Sequence, residues 1–309
     1  MTHTEQRHGY NKEAYNRRNM AEWQQDIRFV RKEDEAYPGR LRPYAGMPGK
    51  IYVRGRLPEE GRPAVAIVGA RRSTPYGNGT ARTFAKELAA AGVQIISGMA
   101  WGIDGMAHEG ALEAGGDTYA VLGCGVDICY PSGHRGLYER LIREGGVLSE
   151  QPPGMPPKSG HFPARNRIIS ALSDLVLVVE AGEKSGALIT ADLALEQGKD
   201  VYAVPGRVGD VQSRGCLNLI RQGAGLADSP DTILDVLGVS PAGNREPTKI
   251  LLAKEENIVY SWICLQPVSL EMLVQKTGMP AGKVLSILVS LELKGCIRQI
   301  QKNDYVRTD

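Results

Sequence analysis

The sequence predicts an α/β domain built on a parallel β-sheet, followed by a small C-terminal winged-helix domain. Short β-branched runs alternate with helical stretches between residues 64 and 237, as expected for a parallel sheet covered on both faces. Residues 250–309 contain three helical segments and then a hairpin pattern, which is typical of a winged helix. The predicted boundaries are a polar arm at 1–35, the sheet domain at 36–237, a linker at 238–249 and the winged helix at 250–309.

Five apolar runs are the predicted strands of the sheet. They are residues 64–69, 93–98, 118–123, 174–180 and 200–206. Most of these runs end on glycine, which lets the backbone turn tightly and brings the amide groups of the next helix towards a ligand. Since ligands of open α/β sheets bind at the carboxyl edge of the strands, we expect the functional site there.

The segments between and around the strands have distinct compositions. Residues 81–91 and 103–114 are rich in helix formers and end before Gly92 and Gly115, so they are predicted crossover helices. The first 35 residues alternate in charge and contain few large apolar residues, which predicts a mobile or loosely helical arm. Residues 238–247 are rich in glycine, proline and polar residues and predict a linker.

The C-terminal domain has clear helix boundaries. Ser269 is a predicted N-cap of a helix that stops at Gly278, and Pro280 begins the next helix. The predicted apolar face of that last helix consists of Val284, Leu285, Leu288, Leu291 and Leu293. From residue 250 onwards seven lysines and arginines are balanced by six acids, so the charge of this domain does not indicate DNA binding.

Composition excludes several classes of protein. Lysine plus arginine exceed aspartate plus glutamate by 37 minus 35, or +2, so any nucleic-acid binding must be local. The five cysteines lack CxxC spacing, which favours reduced thiols and no metal site. No run of about 18 apolar residues occurs and the first thirty residues are polar. We therefore expect a cytoplasmic protein that does not span a membrane.

The usual catalytic motifs are absent from the sequence. It contains no GxxxxGK[ST], no GxGxxG after the first strand, no HExxH and no GxSxG. These absences predict that the protein is not an enzyme and has no cofactor and no catalytic residues. His108 is predicted to be a structural or surface residue.

Two strand ends carry candidate anion-binding residues. Gly69 ends a strand, and Arg71 and Arg72 follow where the next helix would present free amides, which suits a phosphate. We predict binding for Arg71, whereas Arg72 could equally be a solvated loop residue. Ser97 and Gly98 end another strand, where a hydroxyl and close backbone approach suit a phosphate. A tight turn capped by Asp104 explains those two residues equally well.

A third candidate region lies between Lys158 and Asp174. Arg165 and Arg167 flank Asn166 directly behind Phe162, one of only three phenylalanines. Phosphate contacts beside an aromatic ring are what a single strand of nucleic acid needs. We expect residues 165–167 to open a helix, so that charge and helix dipole act on one anion. The alternative is a salt-bridge cluster with Phe162 packed in the core.

The loop after the fourth predicted strand is also suited to an anion. It runs through glycines into a predicted helix and forms a potential nest of backbone amides. The residues near the helix start that could contact the anion are Lys184, Ser185, Gly186 and Thr190.

Seven stretches of the chain, taken in order, resemble the successive motifs of the DNA-processing protein A family, known as DprA or Smf. They are VGARRSTPYG, ISGMAWGIDGMAHEGAL, AVLGCGVDICYP, LSEQPPG, HFPARNRIIS, VVEAGEKSGALITADLALEQGKDVYAVPG and GCLNLIRQGAGL, and they lie between about Asp34 and Leu237. The resemblance implies an extended Rossmann-like domain that binds and protects single-stranded DNA. It also implies dimerisation and help in loading the RecA recombinase during natural transformation.

The resemblance carries over to particular residues. Family DNA-binding positions match Arg71, Lys158, Phe162 and residues 165–167. The segment that forms the dimer in the family contains Leu217, Ile220 and Leu226 here. The first 35 residues lack the glycine-containing hairpin of the helical domain with which many family members begin.

Two other functions stay open at this stage. The loop GEKSGALIT resembles the PGGxGTxxE loop of lysine-decarboxylase-like nucleotide phosphoribohydrolases, with Thr190 matching the threonine. The double glycine of that loop is absent, and Asp192 matches its acid poorly. A protein adaptor would suit the nearly neutral winged helix but would not explain Phe162 beside Arg165 and Arg167.

Overall fold

The computed structural model describes residues 26–240, 252–264, 267–301 and 303–307. The chain divides into two compact units between residues 243 and 244. Residues 241–249 of the predicted linker lie outside the described residues, as does the predicted arm up to residue 25. None of the helices in the described ranges is long and apolar enough to cross a membrane.

The first unit contains a nine-stranded sheet in the order β1-β2-β6-β5-β4-β3-β7-β8-β9. Its strands are β1 Arg28–Arg31, β2 Lys50–Gly55, β3 Ala64–Val68, β4 Gln94–Ser97, β5 Thr118–Leu122, β6 Gly146–Ser149, β7 Leu175–Val178, β8 Asp200–Ala203 and β9 Gly225–Leu226. The seven strands from β6 to β9 in this order are parallel, whereas β2 pairs antiparallel with both β1 and β6. The predicted parallel α/β sheet is therefore confirmed.

Helices cover both faces of this sheet. They are α1 Pro75–Ala90, α2 Ile103–Glu113, α3 Arg135–Glu144, α4 His161–Leu172, α5 Gly186–Glu196, α6 Arg214–Arg221 and α7 Pro230–Leu237. Along β3, Ala64, Ala66 and Val68 pack with α4, α5 and α6, while Val65 and Ile67 pack with α1, α2 and α7. This alternation follows from the two-residue period of a strand, and it gives a core on each face.

The strand order reverses beside β3. From β3 the chain builds the sheet towards β4, β5 and β6, and then returns to place β7 on the other side of β3. The helix after β3 and the helix after β7 therefore lie on opposite faces of the sheet. Such a switch point opens a crevice at the carboxyl ends of the two strands.

Several boundaries differ from the prediction. Residues 28–31 were assigned to the arm but form the edge strand β1, in which only Val30 is buried. Helix α1 begins at Pro75, six residues earlier than predicted, because Thr74 accepts a hydrogen bond from the Gly77 amide at 3.1 Å. Its first turn contains glycines, which hid the start of the helix in the composition.

The second unit is the predicted winged helix. It consists of α8 Lys254–Trp262, β10 Val268–Ser269, α9 Leu270–Thr277, α10 Ala281–Leu293, β11 Ile297–Gln301 and β12 Asp304–Arg307. The three strands form a sheet in the order β10-β12-β11. Ser269 caps α9 by accepting from the Met272 amide at 3.2 Å, and Gly278 ends that helix at φ +68°, both as predicted.

The apolar face predicted for α10 was partly wrong. Val284, Leu288 and Leu291 are buried, together with Ile287. Leu285 and Leu293, which the prediction placed in the core, are 41% and 84% exposed. They lie on the opposite side of the helix, because positions 284, 288 and 291 already define one face at helical spacing.

Candidate functional site

A cleft of about 900 Å³ lies at the carboxyl end of the sheet. It lies beside the paired strands β3 and β7, where the chain segments that follow them turn to opposite faces of the sheet. Four segments form most of its walls: residues 68–72 at the end of β3, the first two turns of α4, residues 182–187 leading into α5, and residues 211–214 at the start of α6. The site therefore lies at the edge that the glycine-ended strands predicted.

An aromatic and cationic group forms one wall. The Arg71 guanidinium carbon lies 5.3 Å from the centre of the Phe162 ring, within the range of a cation–π contact. The Tyr130 ring also packs against Phe162, with 5.4 Å between the ring centres and a tilt of 34°. A Cβ at Gly123 would come within 2.9 Å of the Phe162 ring, so glycine lets the ring lie against the backbone.

Tyr130 was missed by the sequence reasoning. It is 42% exposed and lines the cleft, although the sequence places it 32 residues before Phe162. Its signals in the sequence were its place in the loop that follows β5 and in the motif AVLGCGVDICYP, neither of which singles out this ring.

The start of α5 forms the opposite wall. Ser185 caps the helix by accepting from the Ala187 amide at 3.4 Å, and Asn166 donates to the Gly186 carbonyl at 3.4 Å. Thr190 is buried below this turn, and Lys184 is exposed on it. Free amides, the positive end of the helix dipole and a lysine suit an anion.

Arg165 is buried at the floor of the cleft, with only 6% of its surface exposed. Its Nη1 donates to the Gly98 carbonyl at 2.9 Å and also to the Val121 carbonyl. Burial lowers the pKa of Arg165 to about 10, which the nearby Asp104 carboxylate opposes. Burial likewise raises the pKa of Asp104, and Arg165 acts against that shift. Arg165 thus joins the ends of β4 and β5 below the cleft.

Arg165 occupies the space that a side chain at position 98 would need. A Cβ at position 98 would lie 2.3 Å from Arg165 Nη1. The absence of a side chain at Gly98 therefore lets the guanidinium reach both carbonyls. Ser97, the preceding residue, is fully buried and its hydroxyl donates to the Ile67 carbonyl at 2.7 Å.

Arg165, Asn166 and Arg167, which were predicted to open a helix, do not do so. Helix α4 begins at His161, which places residues 165–167 in its second turn, because Pro163 is tolerated in the first turn. Arg167 donates through Nη2 to both carboxylate oxygens of Glu150 at 2.8 Å and does not line the cleft. Lys158 is exposed, and its neighbours Pro157 and Ser159 line the cleft. A binding role for these residues stays a prediction.

Two carboxylates border the cleft: Asp104 at its floor and Glu183 on the loop before α5. Asp192, the acid that the phosphoribohydrolase alternative required, is exposed on α5 and does not line the cleft.

The residues predicted to form a dimer lie on a helix and on the edge strand that follows it in the chain. Leu217 and Ile220 lie on α6, and Leu226 lies on the edge strand β9. Ile220 packs partly against the core, Leu217 is half-buried and Leu226 is 47% exposed. Their role in an interface stays a prediction.

Comparison with known proteins matches both units to families. Residues 28–238 match the family described as DNA recombination-mediator protein A, and residues 244–301 match the DprA winged helix domain. Protein Smf of Escherichia coli K12 is 38% identical over 288 residues, which cover 90% of this chain and 77% of that protein. DNA processing protein DprA of Bacillus subtilis is 40% identical over 226 residues, which cover 72% and 76%.

Solved structures give the same assignment. The X-ray structure of DprA from Streptococcus pneumoniae superposes with a TM-score of 0.66 at 38% identity, covering 71% of this chain and 77% of that one. DprA from Helicobacter pylori, studied for its single-stranded DNA binding mode, superposes with a TM-score of 0.61 at 31% identity, covering 68% and 95%. The chain belongs to the DNA recombination-mediator protein A family, also called DprA or Smf.

Proposed function

We propose that the cleft binds single-stranded DNA with little sequence preference. The observation that carries the proposal is the contact of Arg71 with Phe162 at the cleft wall, 5.3 Å from guanidinium to ring centre. An exposed cation beside an aromatic ring offers a phosphate contact and a stacking surface to one nucleotide. The Helicobacter pylori relative, with its single-stranded DNA binding mode, supports the same function for this chain.

The chemistry of the cleft favours a single strand over a duplex. Stacking on Phe162 requires an unpaired base, because in a duplex both faces of each base are covered by its neighbours. The second wall, at the start of α5, offers backbone amides and Lys184 to phosphates, and these groups carry no base information. Binding through such contacts is tolerant of sequence.

The cellular role we propose follows from family membership. The chain binds and protects incoming single strands and helps to load the RecA recombinase on them during natural transformation, acting as a binding protein without catalysis. We also propose a homodimer through Leu217, Ile220 and Leu226. A loading role is tested by RecA filament formation on strands coated with single-strand-binding protein: the chain should shorten the lag, and an unchanged lag would contradict this role.

The binding function is tested by titrating oligo-dT and a matched duplex at several salt concentrations. Arg71→Ala should weaken single-strand binding and reduce the salt slope by about 0.7 for the lost phosphate contact. Phe162→Ala should weaken binding with the slope retained, because stacking releases no counterions. Arg143→Ala, which removes an exposed arginine on α3 outside the cleft, is the matched control.

Two results would overturn the proposal. One is unchanged affinity in both Arg71→Ala and Phe162→Ala. The other is release of free base from nucleoside monophosphates by the purified protein, which would indicate the phosphoribohydrolase activity instead.

A further inference from the structure

Trp101 is an exposed indole directly beside the cleft. It lies in the loop between β4 and α2, and the preceding residue, Ala100, lines the cleft wall. Trp101 is 50% exposed to solvent. Large exposed aromatic side chains are costly for solubility and are concentrated at binding surfaces.

The indole is held in place from one side. Its ring contacts the His134 ring edge to face, with 4.3 Å between ring centres and 68° between planes. A Cβ at Gly133 would lie 2.4 Å from Trp101 Cη2, so the indole rests against the backbone of that glycine. The His134 ring is itself fixed, since its Nδ1 donates to the Met99 carbonyl at 3.1 Å. Trp101 is therefore a supported ring, and binding there costs little side-chain entropy.

The same loop connects this ring to the cleft. Residues 130–134 carry Tyr130 at one end, which packs on Phe162, and Gly133 with His134 at the other, which support Trp101. The backbone of residues 130–134 thus links two ring pairs, Phe162 with Tyr130 at the cleft and His134 with Trp101 beside it. Arg135 follows the loop directly, and its side chain is paired with Glu139 at 2.8 Å.

We propose that Trp101 is a second base-stacking site, on which a single strand continues after it leaves the cleft. The inference rests on the proposed binding function and extends it to a longer strand. An exposed indole held by His134 and Gly133 suits an unpaired base, because every base has a face that can stack on an aromatic ring. Continuity with the cleft makes the occupant the same strand.

The site is tested by varying strand length. Oligo-dT of about 4 nucleotides occupies the cleft alone, whereas oligo-dT of about 16 nucleotides reaches Trp101, these being the limits of common single-strand site sizes. Trp101→Ala should leave binding of the short oligomer unchanged and weaken binding of the long one about fivefold or more. Trp101→Phe should retain most of the long-oligomer affinity. Trp262→Ala is the matched control, since that indole is 46% exposed on the winged helix.

Fluorescence gives a second readout that does not remove Trp101. The chain has three tryptophans, Trp23, Trp101 and Trp262. In a Trp23→Phe, Trp262→Phe variant Trp101 is the only tryptophan, so excitation selective for tryptophan reports on Trp101 alone. Its emission should be quenched by the long oligomer and not by the short one.

The outcomes separate this inference from the proposed function. If Phe162→Ala loses short-oligomer binding while Trp101→Ala binds both lengths normally, the cleft stands and the second site is wrong. Equal weakening at both lengths, or no quenching of Trp101 by the long oligomer, also overturns the second site. If the unmodified protein binds neither oligomer, both proposals fail.

Discussion

Single residues at and below the cleft are matched to a neighbour in the folded sheet rather than to a local sequence motif. Gly98 is the sharpest case, because a Cβ there would lie 2.3 Å from the Arg165 guanidinium. Gly98→Ala should destabilise the first unit by about 1–3 kcal/mol, since over-packing forces the buried arginine away from the Gly98 and Val121 carbonyls. Urea unfolding followed by circular dichroism measures the loss.

Gly186→Ala is the control for this substitution. Gly186 lines the cleft, and a Cβ there would meet nothing within 4 Å. It should leave the free energy of unfolding unchanged or raise it slightly, because alanine favours the helix that begins there. Equal losses in the two variants would show that Arg165 does not depend on the space at Gly98.

His108 gives the fold a dependence on pH. The ring is fully buried, its Nδ1 lies 2.7 Å from Thr118 Oγ1, and Thr118 donates its own proton to the Ile95 carbonyl at 2.9 Å. His108 Nδ1 therefore carries the hydrogen and donates to Thr118. Its Nε2 has no hydrogen-bond partner among the described residues, so a second proton would be buried without an acceptor. Burial accordingly lowers the pKa of His108 from 6.5 to about 3.

This shift predicts acid destabilisation. Below pH 6.5 the unfolded chain binds a proton at His108 that the folded chain does not, so stability falls as pH falls from 6.5 towards 3. At about pH 5 the loss from this group is about 2 kcal/mol. In His108→Gln the fall in unfolding free energy between about pH 7 and pH 5 should be smaller by that amount. An identical pH dependence in the two proteins would contradict the prediction.

At the site, the sequence predicted a residue correctly where its position relative to a strand end determines its location in the fold. Arg71 could be predicted because it directly follows a strand that ends on Gly69 at the carboxyl edge. The burial of Arg165 could not, because its partners Gly98 and Val121 lie 67 and 44 residues away and meet it only in the folded sheet. The same holds for Tyr130, which is 32 residues from Phe162 in the chain and contacts it only in the folded protein.

Among the elements, the central strands were predictable and the edges were not. β3 and β7 are buried along their whole length, so they appear as continuous apolar runs. β1 has one buried residue and β9 has only two residues, and their pairing depends on neighbours rather than on pattern. Short edge strands of this kind also avoid unwanted pairing with other chains.

The β9 edge carries the prediction about assembly. Leu217→Arg combined with Leu226→Glu should give a folded monomer, because both side chains are exposed or half-buried beside the edge strand. Ile220 is left intact because it packs against the core. Light scattering measures the mass, and Leu195→Glu, an exposed leucine on α5, is the control. An unchanged dimer mass in the double variant would place the interface elsewhere. A wild-type protein that is already monomeric would contradict the dimer.

For the molecule as a whole, the charge of the winged helix determines how much that unit can contribute to DNA binding. Several of its basic side chains already have partners: Lys283 pairs with Glu255, Lys294 pairs with Glu256 at 2.6 Å, and Arg307 donates to the Tyr260 carbonyl at 3.0 Å. The exposed side of α10 presents an apolar stripe of Leu285, Val289 and Leu293. A helix with that surface is poorly suited to a phosphate backbone and better suited to a protein.

A chain ending at Val239 should therefore keep most of the single-strand affinity of the full protein. We expect a loss of less than about tenfold, or 1.4 kcal/mol, with the salt slope unchanged, because the cleft and its cations belong entirely to the first unit. Fluorescence anisotropy with oligo-dT and a matched duplex, at several salt concentrations, measures both quantities for the two chains. The competing hypothesis is that Lys283, Arg298 and Lys302 form a duplex-binding surface on the third helix and wing, with Lys302 lying outside the described residues. In that case the shortened chain would lose duplex binding more than tenfold and its salt slope would fall by about 0.9 for each phosphate contact removed.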